Sequence, residues 1–489
     1  QYRNFCSPMP PTALHRGTDA RKLPTGTNPM VIRVITMAAV AMAVIDGIVV
    51  SIALPTITRA FSADIAQSQW ILTGYLVTET SLLLIFGRVS EFIGKKRLFL
   101  AGLILFTTSS IACGLSSSLW DLVIFRALQA AGSAMIFSIC AAILYETSGP
   151  GEQGRVMGYI GTTTAAAAVA APLLGGIITG SLGWEYIFFI NGPIGLTGIA
   201  LFLLLSPPES ASANTFSMDW PGAASLVSFL VFLVLSLAEV SPGHFHAPGV
   251  VFFLFLSVLS LFLFIMAERK SPCPLLDLTL FRDPRFLLPN MSMACVYIAF
   301  FMLYLVGPFY LEGALGMDPL GVGFVFLVIP VIIIVGSPAA GLLYDRRNAR
   351  TLPAWGIGIA GASLFLLSFA VLVREIALII ALFVPLSLGI SLFLAPNATE
   401  IMRSLPLERV SLASSMSATL KNLGMIAGIS LSALFLSLEL SAYGYSLSFQ
   451  DADPVILSFS IQKILVTGSI FCAIGAILSL VSTRSPGER

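Results

Sequence analysis

The sequence predicts an all-α integral membrane fold: fourteen transmembrane helices, built as two six-helix bundles with two further helices inserted between them. Three observations carry this. Apolar residues make up 57% of the 489-residue chain and charged residues only 10%, against roughly 25% charged in a soluble domain, so charges are too few to cover the apolar surface in water. The apolar residues gather in runs of about 20, the length of helix that crosses a hydrocarbon core, and the sustained period-two alternation of a transmembrane barrel is missing. One loop pattern also occurs twice, 254 residues apart. The same composition excludes a disordered chain, a coiled coil and a basic nucleic-acid-binding domain.

Taken in chain order, residues 1–33 are expected to be a cytoplasmic tail without ordered structure. The first 30 residues hold five prolines and lack the short apolar core and cleavage site of a signal peptide. Predicted spans follow at 34–54, 68–87, 98–115, 119–144, 156–180 and 185–205, which form the N-terminal six-helix bundle (34–205). Residues 206–286 read as a linker carrying inserted spans at 219–239 and 249–267. The C-terminal bundle (287–482) holds spans at 287–309, 320–343, 353–373, 376–397, 412–439 and 464–482, and 483–489 is a tail.

The charges support this count. With both termini cytoplasmic, inside loops and tails hold 21 of the 26 Lys and Arg residues, and outside loops hold only Arg59, Arg374 and Lys463. That seven-to-one bias obeys the positive-inside rule, which an odd number of helices would scramble. Arg126 and Lys421 are left inside spans. Glu239, Glu312 and Glu439 fall near outside ends and are expected to be solvated.

The repeated loop reads Gly87-Arg-Val-Ser-Glu91-Phe-Ile-Gly94-Lys95-Lys96-Arg97 after span 2, and Gly341-Leu-Leu-Tyr-Asp345-Arg346-Arg347-Asn348-Ala-Arg350 after span 10. Each runs glycine, an acid four residues on, then a basic cluster. Parallel six-helix halves of this kind are a transporter architecture, with substrate sites near the midplane between them. The first loop resembles the signature loop of the major facilitator superfamily, G-x-L-x-D-R-x-G-R-R-R, with Glu91 for its Asp and Phe92 for its first Arg. The second keeps Asp345-Arg346 but has Asn348 for Gly. The resemblance implies a gating clamp between the halves on the cytoplasmic side, its acids set against helix N-termini.

Motifs inside the spans extend the resemblance. Span 4 carries Arg126-x-x-Gln129-x-x-Gly132, similar to the R-x-x-Q-G-x-G motif of the family, in which the arginine is implicated in proton coupling. An arginine at this depth costs about 2.5–3.5 kcal/mol even on a lenient scale and needs a partner or a water-filled cavity. Span 5 carries Gly158-(x8)-Ala167-(x3)-Ala171-Pro172-(x2)-Gly175-Gly176, similar to the antiporter motif with two glycines replaced by alanine. There, small residues allow close helix approach and the proline bends the helix. Span 1 reads Asp46-Gly-Ile48-Val-Val-Ser51-Ile-Ala53-Leu54-Pro55, and resembles the equivalent segment of the fourteen-helix drug:proton antiporter branch, with Ile48 for Thr and Ser51 for Asn. Asp46 lies mid-span, where a carboxylate must be paired or protonated. Glu79, mid-span in helix 2, is a second such acid and belongs to no recognised motif. Span 13 reads Lys421-Asn422-Leu-Gly424-(x3)-Gly428, similar to R-x-L-G-x-x-x-G, and Lys421 either faces the cavity or snorkels to the interface. Asn397 and Glu400, late in span 12, are expected with Gln129 and Asn422 in the cavity wall.

The sequence has no G-x-x-x-x-G-K-[ST] phosphate loop, so a gradient is expected to supply the energy. The reading is a proton-coupled antiporter exporting amphipathic or hydrophobic small molecules by alternating access, with Asp46, Glu79 and Arg126 in proton coupling. The alternatives are a dedicated exporter of one metabolite, lipid or siderophore-like compound and, in another class, a non-transporting receptor. The expected partners are a small-molecule substrate, protons and membrane lipid, without nucleic acid, and the chain is expected to act as a monomer. Neither a cofactor nor an enzymatic activity is expected: the three histidines are His15, His244 and His246, and the six cysteines have no metal-ligand spacing. Four cysteines fall within apolar runs and read as core packing.

Overall fold

The computed structural model describes residues 29–147, 153–205, 219–238, 248–270, 282–347, 349–403, 410–444 and 453–484. The predicted tails before 29 and after 484, linker residues 206–218, Glu239 and the three histidines lie outside these residues. Fourteen helices cross the molecule: α1 Pro29–Ala60, α2 Ile65–Ile93, α3 Lys95–Gly114, α4 Leu119–Glu146, α5 Gln153–Ser181, α6 Tyr186–Leu205 (broken at Ile190), α7 Trp220–Ala238, α8 Pro248–Lys270, α9 Pro284–Gly313, α10 Pro319–Arg347, α11 Leu352–Val373, α12 Ile376–Arg403, α13 Val410–Ala442 and α14 Pro454–Arg484. Among the described residues, thirteen helices have the length and hydropathy of a membrane span, and α7 is a shorter apolar helix. The chain is a multi-pass membrane protein.

Several helices outrun the predicted spans because their ends are polar but still helical. α14 begins at Pro454, ten residues before the expected 464, and brings Lys463 into the helix to pair with Glu439 of α13. Aspartates explain where many helices start. The side chains of Asp64, Asp219, Asp283, Asp318 and Asp453 accept from backbone N–H groups in the first turns of α2, α7, α9, α10 and α14. Each satisfies one of the four amides left open at a helix start.

The internal repeat is visible in these boundaries. Shifted by the 254 residues that separate Gly87 from Gly341, α2 falls on α10 at both ends, and the cap Asp64 falls on the cap Asp318. Helices α1–α6 form one bundle and α9–α14 the other. Where the halves meet, α5 lies along α10 and α2 along α13. The inserted α7–α8 pair packs on itself, and α7 touches both α2 and α13. A small apolar cluster of Leu226, Phe264, Phe286, Ile401 and Met416 joins the pair to α9, α12 and α13.

At the end of the molecule that carries Arg59, the halves are in close contact. Arg59, at the end of α1, pairs with Glu312, at the end of α9. A methyl group on Gly176 of α5 would stand 2.7 Å from the Pro319 carbonyl oxygen, and one on Gly323 of α10 would stand 2.6 Å from that of Pro172. Only hydrogen fits between these backbones. Glu312 corrects the sequence reading: it is buried, 5% exposed, with a partner from the other half.

Candidate functional site

Asp46 is held at mid-length in α1 and is almost wholly buried. Its Oδ2 takes the ion pair and hydrogen bond from Arg126 Nη1 of α4. Its Oδ1 accepts from Gln129 Nε2 at 2.9 Å and from Asn191 Nδ2 of α6 at 3.0 Å. Both amides also donate to Ser110 Oγ of α3, at 3.0 and 2.9 Å, and that hydroxyl donates to the Phe188 carbonyl. Arg126 donates further to Gln129 Oε1 at 2.7 Å, and its guanidinium lies 4.0 Å from the centre of the Tyr75 ring of α2. The cost of a desolvated arginine is thus met by a carboxylate, an amide and an aromatic face. Every member belongs to the N-terminal half.

Three of these residues were named from sequence, but Ser110, Asn191 and Tyr75 were not. Nothing in a one-dimensional pattern separates Ser110 from the many serines in apolar runs. Asn191 carried a clue: it is an amide inside WEYIFFINGPIG, at the break in α6, where a polar side chain needs a buried partner. Gln129 was expected in a cavity wall, but its packing against Asp46, Ser110 and Arg126 leaves it fully buried.

Glu79 forms a second centre. Its carboxylate accepts from Ser133 Oγ of α4 at 2.7 Å. Across the boundary between the halves, Lys421 stands on α13, which packs along α2. Lys421 also lies 5.9 Å from the centre of the Tyr297 ring of α9. Beside Tyr297, Phe301 and Tyr304 continue a row of rings along α9, with centroids 6.4 and 5.8 Å apart.

The remaining predicted residues are scattered. Asn422 is buried. Asn397 is 1% exposed and donates to the Pro289 carbonyl of α9 at 3.2 Å, so it ties α12 to α9 inside the C-terminal half instead of lining a cavity. Glu400 accepts from the Tyr344 hydroxyl of α10 at 3.2 Å, near the second copy of the loop. In the first copy, Gly94 adopts φ 96° at the break between α2 and α3, a conformation that explains why a glycine stands there. Gly87 and Gly341 lie within α2 and α10, and Lys95, Lys96 and Arg97 open α3. Arg346 is exposed at the end of α10, and Arg350 stands in the turn before α11. The side chains of Glu91 and Asp345 lie outside the described residues. Of the helix-5 motif, Gly158 lies in the first turns of α5, Pro172 and Gly176 meet α10, and Gly175 faces Val49 and Ile52 of α1.

Two repeated helical bundles in one membrane-spanning chain, the first holding an ion-paired carboxylate in its core, have the architecture of a membrane transporter. The particular family is shown by comparison with known proteins: the model of the Major Facilitator Superfamily matches residues 36–429, and the chain belongs to that superfamily. It is 28% identical over 458 residues to the riboflavin transporter RibZ of Clostridioides difficile (strain 630), covering 93% of this chain and 97% of that protein. It is 29% identical over 410 residues to the multidrug resistance protein Stp of Mycobacterium tuberculosis (strain CDC 1551 / Oshkosh), covering 82% and 74%. Among solved structures, it matches a bacterial homologue of the human lysosomal transporter Spinster, in an inward-facing and unoccupied conformation, with a TM-score of 0.64 and 16% identity over 93% of this chain and 97% of that one.

Proposed function

We propose that the protein is a proton-coupled antiporter that exports amphipathic or hydrophobic small molecules by alternating access. The observation that carries this reading is the pair of mid-span carboxylates, Asp46 and Glu79, placed where proton binding changes the charge of the bundle core. In the cycle, a proton from outside neutralises a buried carboxylate and favours substrate release, and its loss toward the cytoplasm resets the site. With the orientation given by the positive-inside bias, the contacts at the Arg59 end close the outer side. The half-buried rings of Tyr297, Phe300 and Phe301 offer flat apolar faces suited to aromatic substrates. Similarity to a multidrug resistance protein supports a broad substrate range.

Similarity to a riboflavin transporter supports a second reading, transport of one planar metabolite. The test is transport in proteoliposomes under an imposed pH gradient, with ethidium and riboflavin as probes. Antiport predicts uphill movement of a probe against the proton flow. Transport indifferent to the gradient would overturn proton coupling, and movement of riboflavin alone would favour the dedicated transporter.

A further inference from the structure

We propose that the C-terminal half holds a sodium-sized monovalent cation between α9 and α12, bound by the side-chain oxygens of Asn290 and Asn397 together with the Pro289 carbonyl. A Pro-Asn pair stands inside each of these helices, Pro289-Asn290 in α9 and Pro396-Asn397 in α12. Both amides are deeply buried, Asn290 at 0% and Asn397 at 1% exposure. Asn290 Nδ2 donates to the Phe286 carbonyl at 2.7 Å, and Asn397 Nδ2 crosses to the Pro289 carbonyl, beside Asn290, at 3.2 Å. Each Oδ1 is buried without a hydrogen-bond partner. Neither amide can be turned over, because that would set its oxygen against a carbonyl oxygen. The donors are spent and the acceptors remain, and buried acceptors call for a bound group.

The N-terminal half supplies the comparison. Shifted by 254 residues, Phe286 falls on Ile32, Asn290 on Thr36 and Asn397 on Ile143. Thr36 Oγ1 donates to the Ile32 carbonyl at 2.9 Å, the counterpart of the bond from Asn290 to Phe286. Ile143, 1% exposed, needs no partner. The same place in the fold is thus packed by a threonine and an isoleucine in one half and by two amides with orphaned oxygens in the other. Packing alone does not require those oxygens.

Charge selects the ligand. Acceptor oxygens repel an anion, and hard oxygen donors suit an alkali cation better than a soft metal. Glu400 follows Asn397 by three residues on the same face of α12, and its half-buried carboxylate accepts from the Tyr344 hydroxyl at 3.2 Å. One carboxylate within a turn balances one positive charge, whereas a divalent ion takes more oxygens and more charge. α9 packs along α13 and α14 and meets α12 over a shorter stretch, so the ion fastens the lesser contact. Both helices belong to one half and move together. The ion therefore stays in place when the halves rock, and its role is separate from the antiport reading above.

The test uses purified full-length protein in lipid nanodiscs, with sodium itself as the probe. Binding of radioactive sodium is expected to saturate at one ion per chain. Replacing choline by sodium at constant chloride is expected to raise the melting temperature by about 2–4 °C. The double variant Asn290→Thr with Asn397→Ile, which copies the packing of the N-terminal half, is expected to fold and to lose both effects. Glu400→Gln leaves the amides in place and is expected to weaken sodium binding by at least about fivefold, and it serves alone if the double variant does not accumulate. Sodium binding unchanged in either variant would overturn the proposal. So would the absence of saturable binding, or a melting temperature indifferent to sodium, which is the result an ordered water alone would give.

Discussion

Arg59 and Glu312 join the two halves of the protein through an ion pair at the ends of α1 and α9. Glu312 is buried while Arg59 keeps 38% of its side chain exposed, and Arg59 also bonds to the Thr56 hydroxyl one turn back. The pair therefore lies between a solvated surface contact and a dry internal one, and it is made only while this end is closed. Arg59→Gln is expected to favour opening by about 1–3 kcal/mol, between the values for exposed and buried pairs, a shift of order tenfold in the ratio of the two states. Distances between spin labels on the turns at 61–64 and 314–318 would report it, and an unchanged distribution would show that the pair does not hold the closed state.

Gly176 and Gly323 close the same end by backbone contact. Gly176→Ala places a methyl group 2.7 Å from the Pro319 carbonyl oxygen, with backbone on both sides and no side chain to give way. It is expected to disfavour the closed state and reduce turnover with little loss of thermal stability, since the two halves need only separate. Gly175→Ala meets Ile52 and Val49 at 3.4 Å and is expected to be tolerated. Transport rates and melting temperatures of the two variants make the comparison.

Gly132 gives the opposite outcome. A methyl there would meet the Phe106 amide at 2.5 Å and the Gly102 carbonyl at 2.8 Å, between α3 and α4 of one half. These helices have no second arrangement to move into. Gly132→Ala is expected to cost roughly 1–3 kcal/mol of stability, the usual price of overpacking, and to show as a lower melting temperature in detergent.

Asp46→Asn removes the charge that balances Arg126 in the core of the N-terminal half. The loss is expected to be about 3–5 kcal/mol, as for one partner taken from a buried ion pair. The double variant Asp46→Asn with Arg126→Gln is expected to regain part of that stability, because no lone charge remains. Thermal unfolding of the three proteins in lipid decides this, and equal stability of the single variant and wild type would refute it.

The fold was legible because a bilayer imposes length and hydropathy on every span. The network around Asp46 was legible only in its expensive members. Arg126 and Asp46 announce themselves by their cost at mid-span, whereas Ser110 and Asn191 cost little and look like any small polar residue in a membrane helix. Glu312 was misread because nearness to a helix end was taken for nearness to water. Its burial comes from α1 of the other half, a contact 253 residues away in the chain.

The Arg59–Glu312 contact also bears on the symmetry of the molecule. The halves repeat at 254 residues and the pair is separated by 253, so the two residues occupy one place in the repeat, to within a single position. In a symmetric dimer of identical halves, a place on the two-fold axis faces its own copy, and a charge there meets its like. Opposite charges at such a place are open only to a chain that encodes the two halves separately. The closure at this end therefore depends on the two copies of the repeat having diverged at one place, to Arg59 in the first and Glu312 in the second.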